Sequence, residues 1–264
     1  MKLRMTFVTI LLFAELALAV TAGSLGGGEI ATRIGMALAL TLPLLLLSRA
    51  PLGTPPIRLA VRDRRAWWTL LLLPSFILLT ALVSLGWSAL AELIGLPLQG
   101  AVPLSSVALA ILFDALLPAV CEEIFCRGLL FSSLRPMGRR AAVLGSAFLF
   151  SLMHANPAQI PYAFTAGVLL ALLLEYTGSL LLPILFHFGN NLLSLATFFG
   201  LPLPQFFILL GGAVALTLPA FLLWARKAHL PRPPHEATPR HLLSDFFLSP
   251  LLLWIAVILT FILF

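Results

Sequence analysis

The stretch 121-CEEIFCRGLL-130 decides how this chain is read. Two glutamates and an arginine stand in ten residues whose surroundings are almost wholly apolar. Upstream runs 107-VALAILFDALLPAV-120; downstream, after a short basic break, comes 141-AAVLGSAFLFSLMHA-155. A charge at the centre of a hydrocarbon layer costs about 2.5–3.5 kcal/mol on insertion scales, so charges kept there have partners or work to do.

The wider composition says that the layer is a bilayer. Of the 264 residues 61% are hydrophobic and 10% charged, with a mean hydropathy of +1.08. A soluble domain carries about a quarter charged residues. Apolar runs near 5–22, 31–48, 67–94, 104–131, 141–156, 160–176, 180–199, 206–225 and 247–264 approach or exceed the roughly 20 residues that cross a membrane as helix. Pro- and Gly-rich breaks such as GSLGGGE and ANPAQIP separate them. The expectation is an all-α polytopic bundle of eight or nine spans, the short 141–156 segment being the doubtful one.

Charge placement orients it. With a cytoplasmic N-terminus and every span crossing, 14 of the 16 basic residues fall on the cytoplasmic side; Arg33 lies outside and Arg127 within a span. The net charge of +6 therefore points to membrane topology and not to nucleic acid. The first 22 residues resemble a secretory signal, but Glu15 interrupts the apolar core, and retaining the segment preserves the charge alternation. Cys121 and Cys126 have neither zinc-ligand spacing nor an easy mutual bridge.

The informative residues are the polar ones inside spans. Residues four apart on a helix share a face, about 40° from each other. Glu123 and Arg127 have that spacing and form an ion pair. Glu122 stands about 140° around the helix from Arg127, which leaves it without an in-helix partner. Glu15, Glu92 and Glu175 read as interfacial or helix-pairing residues. Phe150 and His154 share a face near the end of one span; His187 and Asn191 share one on another, with Asn190 beside them. Any one of these groups alone fits plain helix glue as well as it fits chemistry; two histidines, an unpaired glutamate and an asparagine, all on apolar helices, fit it less well. Together they suit hydrolysis: a buried carboxylate acts as general base on a water, and histidine or asparagine N–H groups stabilise an oxyanion. Glu122, His154 and His187 also form a candidate ligand set for one divalent ion such as zinc. No H-E-x-x-H helix and no G-x-S-x-G elbow occurs.

The three stretches 122-EEIFCRG-128, 150-FSLMH-154 and 187-HFGNN-191 resemble the E-E-x-x-x-R, F-x-x-x-H and H-x-x-x-N motifs of the CAAX protease and bacteriocin-processing (CPBP, or Abi) family. The run 177-TGSLLLPILFH-187 is similar to the family's approach to its second histidine. The resemblance implies an intramembrane endopeptidase acting on membrane-associated proteins or peptides. It makes Glu122 the water-activating base, completed by His154, His187 and Asn191 and supported by Glu123 and Arg127. It implies either a metal-free glutamate mechanism or a metalloprotease. On this reading 104–200 is the catalytic core, flanked by spans in 1–103 and by 201–264 with its basic loop. The short, loop-poor chain suggests a bacterial cell membrane. The rival classes are an ion- or proton-coupled transporter using Glu122 and Asp114, and a scaffold or bacteriocin self-immunity protein without chemistry.

Overall fold

The computed structural model describes residues 29–35, 37–38, 59–98, 102–154 and 156–228. All regular structure among these residues is helical. A tight 3-10 turn region, Arg64–Leu72, starts where the Asp63 carboxylate accepts the Arg65 N–H at 2.9 Å. It leads into α1, Leu73–Leu93. The next helix, α2, is a continuous run of segments from Val107–Ala110 to Ser132–Leu134. Then follow α3 (Arg139–Met153), α4 (Ile160–Thr177), α5 (Leu181–Phe198) and α6 (Leu203–Ala228).

Helix ends follow local chemistry. Gly138, at φ +105°, lets the chain reverse between α2 and α3. Gly178, at φ +63°, closes α4 in the left-handed conformation, its N–H bonding to Leu174 O at 2.8 Å. Ser179, just beyond, is buried and donates to Leu59 O.

Among the described residues, four helices are long and apolar enough to cross a bilayer: Arg64–Leu93, Ile160–Thr177, Leu181–Phe198 and Leu203–Lys227. Only 11% of the α6 window is buried, with Ile208 73% and Leu216 78% exposed. Such apolar surface is compatible with lipid tails and not with water, and the chain is an integral membrane protein. Two expected spans differ from simple crossing helices. The 104–131 span is helical throughout 107–134, but π-helical turns at Ile111–Leu116 and Ile124–Phe131 interrupt its α geometry. π turns of this kind often occur at functional sites. The 141–156 segment forms α3, whose 15 residues rise about 22 Å and fall short of a ~30 Å hydrocarbon layer. The spans expected at 5–22 and 247–264, and most of 31–48, lie outside the described residues.

Small residues position the site. Ala163, Gly167 and Ala171 recur every four residues on α4 and are buried against α3. A Cβ on Gly167 would stand 2.9 Å from Ala147 Cα and 3.2 Å from Phe150 Cδ1. The absent methyl lets the two backbones approach, as small residues do between membrane helices. That approach brings Phe150 and Gly167 up to α2.

Candidate active site

The ion pair expected within α2 is present and fully buried. Arg127 Nη1 lies 3.0 Å from Glu123 Oε1, neither side chain having any exposure, although the N–H is not aligned for a hydrogen bond. Arg127 Nη2 instead donates to Gly167 O at 3.1 Å, and its guanidinium carbon stands 4.6 Å over the Phe150 ring. One arginine thus ties α2 to α3 and α4.

Glu123 does more than answer Arg127. Its Oε1 also lies 2.9 Å from His187 Nδ1, joining α2 to α5. With Glu123 as the carboxylate facing Arg127, Nδ1 is the donor, which leaves the other ring nitrogen, Nε2, to face elsewhere. Nε2 stands 3.8 Å from Glu122 Oε2. That carboxylate oxygen is buried and has no hydrogen-bond partner among the described residues. The two adjacent glutamates therefore meet opposite edges of one imidazole.

His154 is oriented by similar logic. It caps α3, and its Nδ1 is 2.9 Å from Phe150 O. A carbonyl only accepts, so Nδ1 carries the proton and Nε2 remains available. The Phe150 ring stands edge-on to both histidines, with centroids 4.9 Å from His154 and 5.6 Å from His187. Phe150 is thus the spacer between the two rings.

Glu122, Phe150, His154, His187, Asn190 and Asn191 line one cavity of about 850 Å³. The eight residues singled out in the sequence are therefore brought together, six on the cavity wall and Glu123 with Arg127 directly behind it. Asn190 is fixed from outside its own helix: its Oδ1 accepts from Thr80 Oγ1 of α1 at 2.8 Å. Thr80 and Tyr162, which also border cavity space here, carry no sequence motif that marks them. Asp114, the second residue of the transport reading, is committed to structure. It pairs with Arg33 and accepts the Leu104 N–H at 2.8 Å. Glu175 pairs with Arg135 at 2.7 Å, as a helix-pairing residue should.

Among the described residues no three His, Cys, Asp or Glu side chains are gathered as a metal ion requires. The set Glu122, His154 and His187 shares a cavity wall without converging on one point, so the residues as placed do not fit a resident divalent ion.

Residues 104–193 match the Rce1-like family model. Its description is type II CAAX prenyl endopeptidase Rce1-like. The Rce1-like segment opens just before α2 and ends within α5, so it contains all three motifs, and the resemblance read from the sequence holds over these residues. No curated protein and no solved structure matches the chain.

Proposed function

We propose that the protein is an intramembrane endopeptidase that hydrolyses peptide bonds of membrane-associated proteins or peptides, with 104–200 as its catalytic core. The observation that carries the reading is the placement of His187 between the two glutamates. Its Nε2 and Glu122 Oε2, 3.8 Å apart, both lie within hydrogen-bond reach of a single water. Such a water donates one proton to each. Glu122 takes the proton from the attacking oxygen and later delivers it to the leaving amine, the exchange of base and acid roles that hydrolysis of an amide requires.

The supporting groups have separable roles. Glu123 fixes the tautomer and angle of His187 and is itself fixed by Arg127, a positioning chain that ends on the water. His154, with Nδ1 committed to Phe150 O, offers Nε2 to the same cavity. Asn191 does not titrate; its amide N–H is suited to the oxyanion that forms on the scissile carbonyl. Asn190, held by Thr80, keeps the adjacent wall of the cavity in place. The Rce1-like match supports the substrate class of the reading.

The test is comparative membrane proteomics of cells expressing the wild type or Glu122→Gln. A precursor that accumulates only with Glu122→Gln, and is trimmed when the wild type is restored, supports the proposal. Identical membrane proteomes contradict it.

A further inference from the structure

A second cavity, of about 740 Å³, lies beside the first and shares Gln159, Tyr162, Asn190, Ser194, Thr197 and Leu203 with it, so the α5 wall is common to both. Beyond Thr80 and Asn190, its walls carry polar side chains that the peptidase chemistry does not use. On α1, Thr80, Ser84, Ser88 and Glu92 recur every four residues and so form one row along the helix. Facing them on α5 are Asn190, Ser194 and Thr197. The Thr80–Asn190 hydrogen bond joins the two rows at the end nearest the candidate active site. From there the α1 row opens outward: Thr80 is buried, Ser84 half-buried, Ser88 and Glu92 exposed.

We infer that this groove binds an extended segment of the substrate chain and leads it to Glu122, an inference that rests on the peptidase reading. Three observations favour a peptide. First, spacing: hydroxyls four residues apart on a helix are about 6.0 Å apart. Peptide groups on one side of an extended strand repeat at about 6.4–6.8 Å, so the row can meet successive groups of a strand lying along it. From Thr80 to Glu92 the row spans about 18 Å, the length of five or six extended residues.

Second, the walls are complementary to a backbone. On α5, Ser194 and Thr197 donate to their own helix, at 2.9 Å to Asn190 O and 2.7 Å to Ser194 O, which leaves their oxygens to accept an N–H. On α1, Ser84 and Ser88 have no hydrogen-bond partner among the described residues and can donate to a C=O. A peptide backbone inside a membrane needs both kinds of partner. Third, Glu92 is the single charged side chain among the described residues of the groove wall. Standing at the open end, it selects Lys or Arg in the bound segment.

The experiment uses the full chain carrying Glu122→Gln in detergent micelles, with a displayed library of random ten-residue peptides as the probe. Peptides retained by this protein should lose at least tenfold of their retention when Ser84→Trp and Ser88→Trp fill the groove. Their bias toward Lys and Arg should turn toward Asp and Glu in Glu92→Lys. Thermal unfolding checks each variant, and the milder Ser88→Leu should move retention the same way if the tryptophan variant unfolds. Failure to retain any peptide, retention indifferent to groove filling, or a charge bias indifferent to Glu92 overturns the inference. Groove filling that slows hydrolysis in the Glu122 protein while retention is unchanged assigns the groove to water and also overturns it. Retained peptides are then offered to the unmutated protein. Peptides that bind but are never cut contradict the peptidase reading and leave the groove standing.

Discussion

Glu123 reaches across from α2 to hold His187 of α5, Oε1 to Nδ1 at 2.9 Å, while its neighbour Glu122 faces the opposite edge of the same ring. One carboxylate is thereby spent on holding the imidazole and the other is left for the cavity. This division makes the adjacent glutamates unequal, and the first prediction measures the inequality. Glu123→Gln or Arg127→Ala leaves one member of a fully buried ion pair uncompensated, which costs about 3–5 kcal/mol. Folded yield and thermal stability in detergent should fall for both, and the double variant should be less destabilised than the sum of the two. Glu122→Gln should retain wild-type yield. Equal losses at all three positions would remove the distinction.

The Glu123–Arg127 pair was legible because a four-residue spacing fixes which side chains meet on a helix, whatever the helix packs against. The same spacing placed Phe150 under His154 and Asn191 over His187. Contacts between helices were not legible in this way. Nothing local to His187 announces Glu123 as its partner, and Thr80 lies 110 positions from Asn190. Arg33, the basic residue that broke the charge alternation, turns out to be matched by Asp114, again from a distant segment. The π turns of α2 escaped the 3.6-residue period by which the span was recognised. The row Thr80, Ser84, Ser88, Glu92 was readable in principle, but hydroxyls on an apolar helix are easily passed over beside charged residues.

Gly167 tests whether the crossing of α3 and α4 sets the site. Gly167→Ala places a methyl 2.9 Å from the Ala147 backbone and 3.2 Å from Phe150. Overpacking of this kind costs about 1–3 kcal/mol. The shift should also displace Phe150 from its two histidines, so activity should fall more than stability alone accounts for. Wild-type activity in Gly167→Ala would show that the close crossing is immaterial to the site.

Topology is tested from outside. The basic residues Arg62, Arg139 and Arg232 should all be cytoplasmic. A cysteine introduced at position 139, in a chain lacking Cys121 and Cys126, should resist an impermeant thiol reagent in intact cells and react after permeabilisation. Labelling in intact cells would reverse the orientation.

Metal dependence follows from the geometry of the donors. Because no three ligating side chains converge among the described residues, peptidase activity should survive prolonged dialysis against EDTA and 1,10-phenanthroline. Stoichiometric zinc in purified active protein, lost together with activity and restored with it, would contradict the metal-free reading.

The central claim is that Glu122 moves the proton of the hydrolytic water. The most direct measurement is the cleavage rate of an identified precursor by purified wild type, Glu122→Gln and Asn191→Ala, all matched for folded content. General-base catalysis contributes about 10²–10⁴-fold, so Glu122→Gln should reduce cleavage by at least that range. Asn191→Ala, which removes an oxyanion donor and leaves the base intact, should lose less than Glu122→Gln does. Cleavage by Glu122→Gln within a few-fold of the wild type would contradict the account.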